Sequence, residues 1–337
     1  MKKNYTAIDI TKFICALLVV GIHTQPLGDR LSGGGYFLTT LCRIAVPFFF
    51  VVSGFLFFSK EAKLSKYVKR LIILDITWTV LELPYIIYNC FFLKPDSFLS
   101  KSFHLLQSLF WGESYMGSWF VHASWMGMIT LCWLLRHFKN RTVGIVCVLC
   151  FIFALLDTSY RYLLIGTCFD GFWDVLNKVI YPSESFIVAL PYFFLGRLIA
   201  LKTEESKKIV SKKYVSLCVL ACFSLFVEAI IVRNQCDITQ IINPRFEQFV
   251  ILIPFTLIFT CCIKDIIVSL FHRCSLLIRQ ESILIYLLHQ PMILFTYKIT
   301  GLSEGPVLFL LVALESIIIA YLIIVGAGRY KYLKYLY

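Results

Sequence analysis

The chain has 337 residues, of which 59% are hydrophobic and 15% are charged. An ordinary soluble domain is about 45–50% apolar and about 25% charged, so the composition excludes that class and indicates a polytopic membrane protein. The formal net charge is +12. No RNA- or DNA-reading motif accompanies it, so nucleic acid is not an expected partner and the lipid bilayer is.

Apolar segments near the roughly 20 residues needed to span a bilayer recur along the whole chain. We predict ten of them, centred near residues 17, 48, 80, 127, 151, 192, 223, 256, 290 and 315. Lysine and arginine concentrate in alternate connections, such as residues 60–70 and 202–213, and this bias places both termini in the cytoplasm. The predicted fold is all-α, a bundle of about ten transmembrane helices forming one domain over residues 1–337.

The first predicted span, AIDITKFICALLVVGIH (residues 7–23), is unusual because it contains three ionisable side chains, Asp9, Lys12 and His23. At about 100° per residue, Lys12 lies within roughly 20° of His23 around the helix, and Asp9 within roughly 40°. Such groups cost about 2.5–3.5 kcal/mol each at membrane depth on insertion scales, and they usually face a bundle interior or a wet cavity. The shared face is therefore a candidate functional face.

The second span, LTTLCRIAVPFFFVVSGFLFF (residues 37–58), carries Arg43 just before Pro47, which can kink a helix. Arg43 either snorkels to the membrane surface or presents its donor fork to a ligand.

The third span, residues 71–92, carries Asp75 and Glu82, seven apart and on one face. We expect these acids to pair with Lys12 or Arg43, and the spacing leaves open whether such a pair is structural or catalytic.

Three later features complete the pattern. His122 begins the fourth span, where a hydrogen-bonded packing histidine is the favoured interpretation, and Tyr286 precedes His289 by three residues in the ninth. The outer segment 157–185 is long enough to cover a site as a lid, or to be a passive loop.

The 13 cysteines are scattered, mostly within apolar segments, and we interpret them as small packing residues. The sequence predicts neither a disulfide framework nor a metal site.

Five stretches together resemble the membrane-bound acyltransferase-3 family: IDITKFICALLVVGIH, CRIAVPFFFVVSGFLFF, GSWFVH, LPYFFLGRLI and SILIYLLHQPMI. Members of that family transfer acyl groups, usually from acyl-coenzyme A on the cytoplasmic side, to sugars or other acceptors at the outer face. Their first span carries an arginine, ten residues, and then a catalytic histidine. The resemblance implies His23 as the catalytic base, Lys12 in the arginine's role, and a location in a bacterial cytoplasmic membrane.

The resemblance also matches Arg43 to the basic residue before the second-span proline, and Tyr286 with His289 to a late tyrosine–histidine motif. The set that we assign to substrate binding is Asp9, Lys12, Arg43, Glu82, Trp119, Tyr286 and His289. Lysine at position 12 departs from the family, because a lysine is a point charge and an arginine is a planar fork. The departure puts the usual contact with the acyl donor in doubt, but it does not affect the assignment of His23.

A narrower resemblance is to the N-terminal membrane domain of membrane-bound serine racemases of the vancomycin-resistance type. Those proteins continue after the last span into a cytoplasmic pyridoxal-phosphate domain, so a further C-terminal domain encoded by the native gene is one expectation. The leading hypothesis is an O-acyltransferase that uses acyl-coenzyme A, binds no cofactor tightly and modifies a small-molecule or glycan acceptor. The alternative is a domain that binds or imports L-serine, without acylation.

Overall fold

The computed structural model describes residues 5–29, 33–88, 91, 97–111, 119–177, 179–205, 212–235, 251–252 and 274–337. Within these ranges the regular structure is helical and contains no strand, which confirms the predicted all-α class. Twelve helices are named here: α1 Thr6–Thr24, α2 Gly33–Cys42, α3 Ala45–Ser59, α4 Leu64–Tyr88, α5 Phe98–Trp111, α6 Trp119–His137, α7 Asn140–Asp157, α8 Cys168–Asn177, α9 Phe186–Glu205, α10 Lys212–Gln235, α11 Ser275–Thr300 and α12 Pro306–Arg329. Short 3₁₀ turns lie at Arg161–Leu163, Pro182–Glu184 and Lys331–Leu336.

Seven helical segments in the described ranges are long and apolar enough to cross a membrane. They are Thr6–Thr24, Gly33–Ser59, Leu64–Tyr88, Asn140–Asp157, Cys168–Lys202, Ser275–Thr300 and Pro306–Arg329. The spans predicted near residues 127 and 223 fall on α6 and α10, which are helical but do not join this set. The span predicted near residue 256 lies almost wholly outside the described residues, so the count of ten stays a prediction.

The second predicted span is divided into α2 and α3 by a turn at Arg43 and Ile44. Pro47 explains the division, because it has no N–H with which to bond the carbonyl four residues earlier, that of Arg43. The helix resumes when the Phe48 N–H bonds the Ile44 carbonyl at 3.0 Å. The break sets the Arg43 side chain at a helix junction.

Helices α3 and α9 cross at two glycines, and this crossing lies at the centre of the bundle. A Cβ atom at Gly54 would lie 2.5 Å from the Phe193 carbonyl oxygen, and one at Gly196 would lie 2.2 Å from the Val51 carbonyl oxygen. Only glycine permits two helix backbones to approach so closely, as is common between membrane helices.

Aromatic side chains fill the space around this crossing. The buried Phe50 ring lies 4.6 Å from that of Phe120 on α6 and 5.3 Å from that of Phe193 on α9, centroid to centroid. Phe50 also contacts Trp119, whose ring centroid is 6.1 Å away. These contacts join α3, α6 and α9 into one core.

A second group consists of α1, α11 and α12. Thr296 of α11 donates a 2.6 Å hydrogen bond to Glu315 of α12, and the Gly305 N–H bonds the Thr24 carbonyl at the end of α1. These contacts tie α12 to both α11 and α1, the two helices that carry His289 and His23.

The described residues of the segment 157–185, which the sequence predicts to lie on the outer side, fold back onto the end of α7. Arg161 is 7% exposed and donates to Asp170 at 2.7 Å and Asp174 at 2.9 Å on α8. Trp173, on the same helix, packs its ring 4.6 Å from that of Phe153. The ion pairs therefore hold the segment together internally, and the contact between Trp173 and Phe153 packs it against α7.

Candidate functional site

His23 and His289 come together although 266 positions separate them in the sequence numbering. Their ring centroids are 5.1 Å apart with the planes inclined at 42°. His289 is 1% exposed, whereas His23 is exposed near the C-terminal end of α1. The pair thus combines one exposed imidazole with one held inside the bundle.

The hydrogen bonding of His289 assigns its tautomer. Its Nδ1 atom lies within hydrogen-bond distance of the Tyr286 carbonyl oxygen. A carbonyl can only accept, so Nδ1 carries the proton and, in the neutral ring, Nε2 carries the lone pair. Nε2 is buried and has no hydrogen-bond partner among the described residues. The protein therefore aims an open acceptor toward the interior beside His23.

Tyr286 closes the buried side of this pair. Its ring packs 5.4 Å from that of Phe120 and 5.8 Å from that of His289, and its hydroxyl is hydrogen-bonded to the Phe120 backbone. The carboxylates of Glu82 and Glu184 both lie within electrostatic range of that hydroxyl. Glu82 is 4% exposed, so its carboxylate is held inside the bundle.

Arg43 lies within electrostatic range of Glu184, an acid that the sequence analysis did not assign to the site. Glu184 ends the 3₁₀ turn Pro182–Glu184, and that turn is fixed because the Ser183 N–H and hydroxyl both donate to Asp157, at 3.0 and 2.7 Å. The half-buried acid Glu184 thus lies within electrostatic range of both Arg43 and Tyr286.

Asp9 forms a two-pronged ion pair with Arg279. Arg279 Nε donates to Asp9 Oδ1 at 2.9 Å and Nη2 donates to Oδ2 at 2.7 Å, while the Asp9 side chain is 1% exposed. This parallel geometry is the strong form of an arginine–carboxylate contact. Asp9 thus joins α1 to α11. This structural role is an alternative to the role in substrate binding that the sequence predicts for Asp9.

Lys12 belongs to the same end of α1. Its ammonium lies within electrostatic range of Asp9, Arg279, Arg70 and Lys60, which makes this end strongly basic. Lys12 and His23 share a helix face, but eleven residues at about 1.5 Å each separate them by roughly 16 Å along the axis. The predicted site is accordingly divided into two clusters at opposite ends of one face.

One prediction about partners changes. Asp75 was expected to pair with Lys12 or Arg43, and this is wrong: its partners are His122 Nδ1 at 2.8 Å and Trp125 Nε1 at 2.9 Å. A face pattern identifies buried acids but not which neighbouring helix supplies the partner. His122 is buried and hydrogen-bonded, as expected, and Trp119 contacts the core at Phe50.

The site residues that sequence reasoning missed are Arg279 and Glu184. Arg279 was counted only as part of the cytoplasmic positive charge, and Glu184 only as part of an outer loop. Each lies at the edge of an apolar segment, where a charge is usually interfacial. Their involvement depends on contacts with α1 and α2, far away in the sequence.

Residues 5–325 match the acyltransferase-3 family, described as an acyltransferase domain. The chain belongs to that family. The match covers both clusters and all the helices from α1 to α11, so the family's core lies within the fold described above. No solved structure matches the chain.

The similar curated proteins are racemases. An amino-acid racemase of Enterococcus faecalis is 28% identical over 231 residues, covering 66% of this chain and 32% of the relative. A serine/alanine racemase of Enterococcus gallinarum is 24% identical over 325 residues, covering 92% and 44%. A further amino-acid racemase of E. faecalis is 22% identical over 355 residues, covering 96% and 46%. The chain spans less than half the length of these relatives.

Proposed function

We propose that this member of the acyltransferase-3 family transfers an acyl group from acyl-coenzyme A to a hydroxyl of an extracytoplasmic acceptor, with His23 as the base. The observation that carries the proposal is the pair of imidazoles, His23 exposed and His289 buried at 5.1 Å. A base must reach the proton that it removes, and of the two rings His23 is the accessible one.

In the proposed step, His23 accepts the acceptor's hydroxyl proton while the oxygen attacks the thioester carbonyl. The carbon–sulfur bond then breaks, and the proton passes to the departing coenzyme A thiolate. His289, fixed by the Tyr286 carbonyl, positions the His23 ring. The basic end of α1 around Lys12 would bind the phosphates of the donor. Arg43 would stabilise the negative charge that develops near His23 and His289.

The test is acyl transfer by permeabilised cells that express the full chain. Radiolabelled acetyl-coenzyme A is supplied to permeabilised cells, and label in the envelope fraction is counted. Removing a general base costs about 10²–10⁴ in rate, so His23→Ala should lose nearly all incorporation while its expression and melting temperature stay near those of the wild type.

The matched control is His137→Ala. That imidazole is exposed and bonded to its own helix, at the Trp133 carbonyl, so incorporation should be unchanged. If His23→Ala keeps full activity with a folded protein, the base assignment is wrong.

The relatives favour a second candidate function, a membrane domain that binds or imports L-serine for a longer racemase. All three matches bear racemase names, and the chain covers only 32–46% of their lengths. Thermal shift with acetyl-coenzyme A against L-serine separates the candidates, because a ligand raises the melting temperature of the state that binds it. Stabilisation by serine alone would replace the acyl-transfer proposal, and sequencing past codon 337 of the source gene would show whether a further domain follows.

A further inference from the structure

Asp75 on α4 and His122 on α6 form a buried pair that shares no residue with the two clusters above. Both His122 Nδ1 and Trp125 Nε1 bond the same oxygen, Asp75 Oδ2, at 2.8 and 2.9 Å. The side chains of His122 and Asp75 are 9% and 11% exposed. We refer to Asp75, His122 and Trp125 as the α4–α6 cluster.

The carboxylate fixes the tautomer of His122. Because a carboxylate oxygen accepts, Nδ1 carries the shared proton, and the neutral ring presents its lone pair at Nε2. Carboxylates orient functional histidines in this way in metal sites and in catalytic triads. In the part of the chain that the structure describes, the buried Nε2 atom has no hydrogen-bond partner. The cluster therefore holds an acceptor that is oriented but unused.

The second feature of the cluster is the set of partners of the Asp75 carboxyl group. Across the described ranges, no lysine or arginine nitrogen pairs with Asp75, whose bonding partners are an imidazole and an indole. A buried carboxylate is costly without a countercharge. The rings of His122 and Trp125 meet edge to face at 4.8 Å, and an indole ring attracts cations. A complementary ligand is positively charged and donates N–H bonds.

We propose that the α4–α6 cluster binds a primary ammonium group, with His122 Nε2 accepting one N–H bond and Asp75 supplying the countercharge. A quaternary ammonium has the charge but no N–H donor, and an alcohol has a donor but no charge. The ammonium can come from a soluble amine or from an ethanolamine headgroup in the surrounding lipid. Binding of an ammonium group at this cluster is independent of the proposed acyl transfer.

The first experiment measures melting temperature of the purified full chain in detergent, with ethanolamine, choline or ethylene glycol at equal ionic strength and fixed pH. Ethanolamine should raise the melting temperature, and the other two should not. At about ten times the dissociation constant, the ligand favours the folded state roughly elevenfold. An equal response to choline or ethylene glycol would overturn the proposal.

Two variants locate the site. In His122→Asn, the asparagine Nδ2 occupies nearly the position of the histidine Nδ1, so the bond to Asp75 can persist while Nε2 is lost. This variant and Asp75→Asn should both lose the ethanolamine shift, whereas His137→Asn, on the exposed end of the same helix, should keep it. Retention of the shift in folded His122→Asn would refute the proposal.

A spectroscopic measurement on the wild-type chain covers the case in which both variants misfold. With ¹⁵N-labelled histidine, the Nε2 resonance of one imidazole should move when ethanolamine is added, and choline should leave it in place. If no histidine resonance responds, or if lowering the pH alone reproduces the whole response, the ammonium assignment is wrong.

Nanodiscs of defined lipid composition distinguish a lipid headgroup from a soluble amine as the source of the ammonium group. Wild-type protein should melt at higher temperature in phosphatidylethanolamine than in phosphatidylcholine if the headgroup is the ligand, and His122→Asn should abolish that difference. If the two lipids are equivalent and soluble ethanolamine still stabilises the protein, the ligand is a soluble amine.

Discussion

The ion pair between Asp9 and Arg279 allows an asymmetric prediction, because its two partners are buried unequally. The Asp9 side chain is 1% exposed and that of Arg279 is 36% exposed. Removing one partner of a fully buried pair costs about 3–5 kcal/mol, and an exposed pair contributes about 0–1 kcal/mol. Replacing Arg279 leaves a carboxylate in the interior, whereas replacing Asp9 leaves a guanidinium that water can reach.

For Arg279→Met we expect a loss of about 2–3 kcal/mol, below the fully buried value because Arg279 is partly solvated. Lys12, within electrostatic range of Asp9, also offsets part of the stranded charge. For Asp9→Asn we expect about 1 kcal/mol, the size of an ordinary hydrogen-bond contribution. At roughly 2 °C per kcal/mol for a chain of this size, the melting temperature should fall by about 4–6 °C and about 2 °C respectively.

The assay is fluorescence-detected thermal unfolding of the two single variants and of the double variant in one detergent. The double variant has no stranded buried carboxylate, so it should melt near Asp9→Asn and above Arg279→Met, a non-additive result. Because the pair fixes α1 against α11, Arg279→Met should also weaken acyl transfer through His23. If Arg279→Met is no less stable than Asp9→Asn, or if the single effects simply add, the reasoning from unequal burial fails.

Two further predictions test the fold. Gly54→Ala should destabilise the protein by about 3 kcal/mol, because its Cβ would lie 2.5 Å from the Phe193 carbonyl oxygen and the backbone there cannot shift without cost. The control is Gly171→Ala, which has open space around it and should melt within about 2 °C of the wild type. Equal losses of stability in the two variants would contradict the close crossing of α3 and α9. Cys168 and Cys274 are both exposed, and the predicted topology places the first outside and the second in the cytoplasm. An impermeant maleimide applied to intact cells should therefore give labelling that Cys168→Ser reduces and Cys274→Ser does not, and the reverse pattern would invert the proposed orientation.

Much of the fold follows from local sequence. Apolar runs of sufficient length predict membrane helices wherever they occur, because a spanning backbone must satisfy its hydrogen bonds internally. Pro47 accounts for the break between α2 and α3, although Pro84, Pro191 and Pro291 lie inside continuous helices. The late Tyr286–His289 spacing places both residues in α11 as expected. The predicted count of ten depends on segments such as that near residue 256, which lies outside the described residues.

The sequence by itself determined the all-α membrane class and the face of α1 that carries Asp9, Lys12 and His23, because helical periodicity is a local property. It did not predict α8, which lies in the segment expected to be a lid or a loop. Only the tertiary structure decided which residues meet across helices. Asp9 meets Arg279 at a separation of 270 residues, and Asp75 meets His122 rather than a lysine or arginine. Glu184 lies within electrostatic range of Arg43. A periodic pattern shows that a charge is turned inward, but the partner depends on which helices pack together, and close approaches such as that at Gly54 and Gly196 determine that packing.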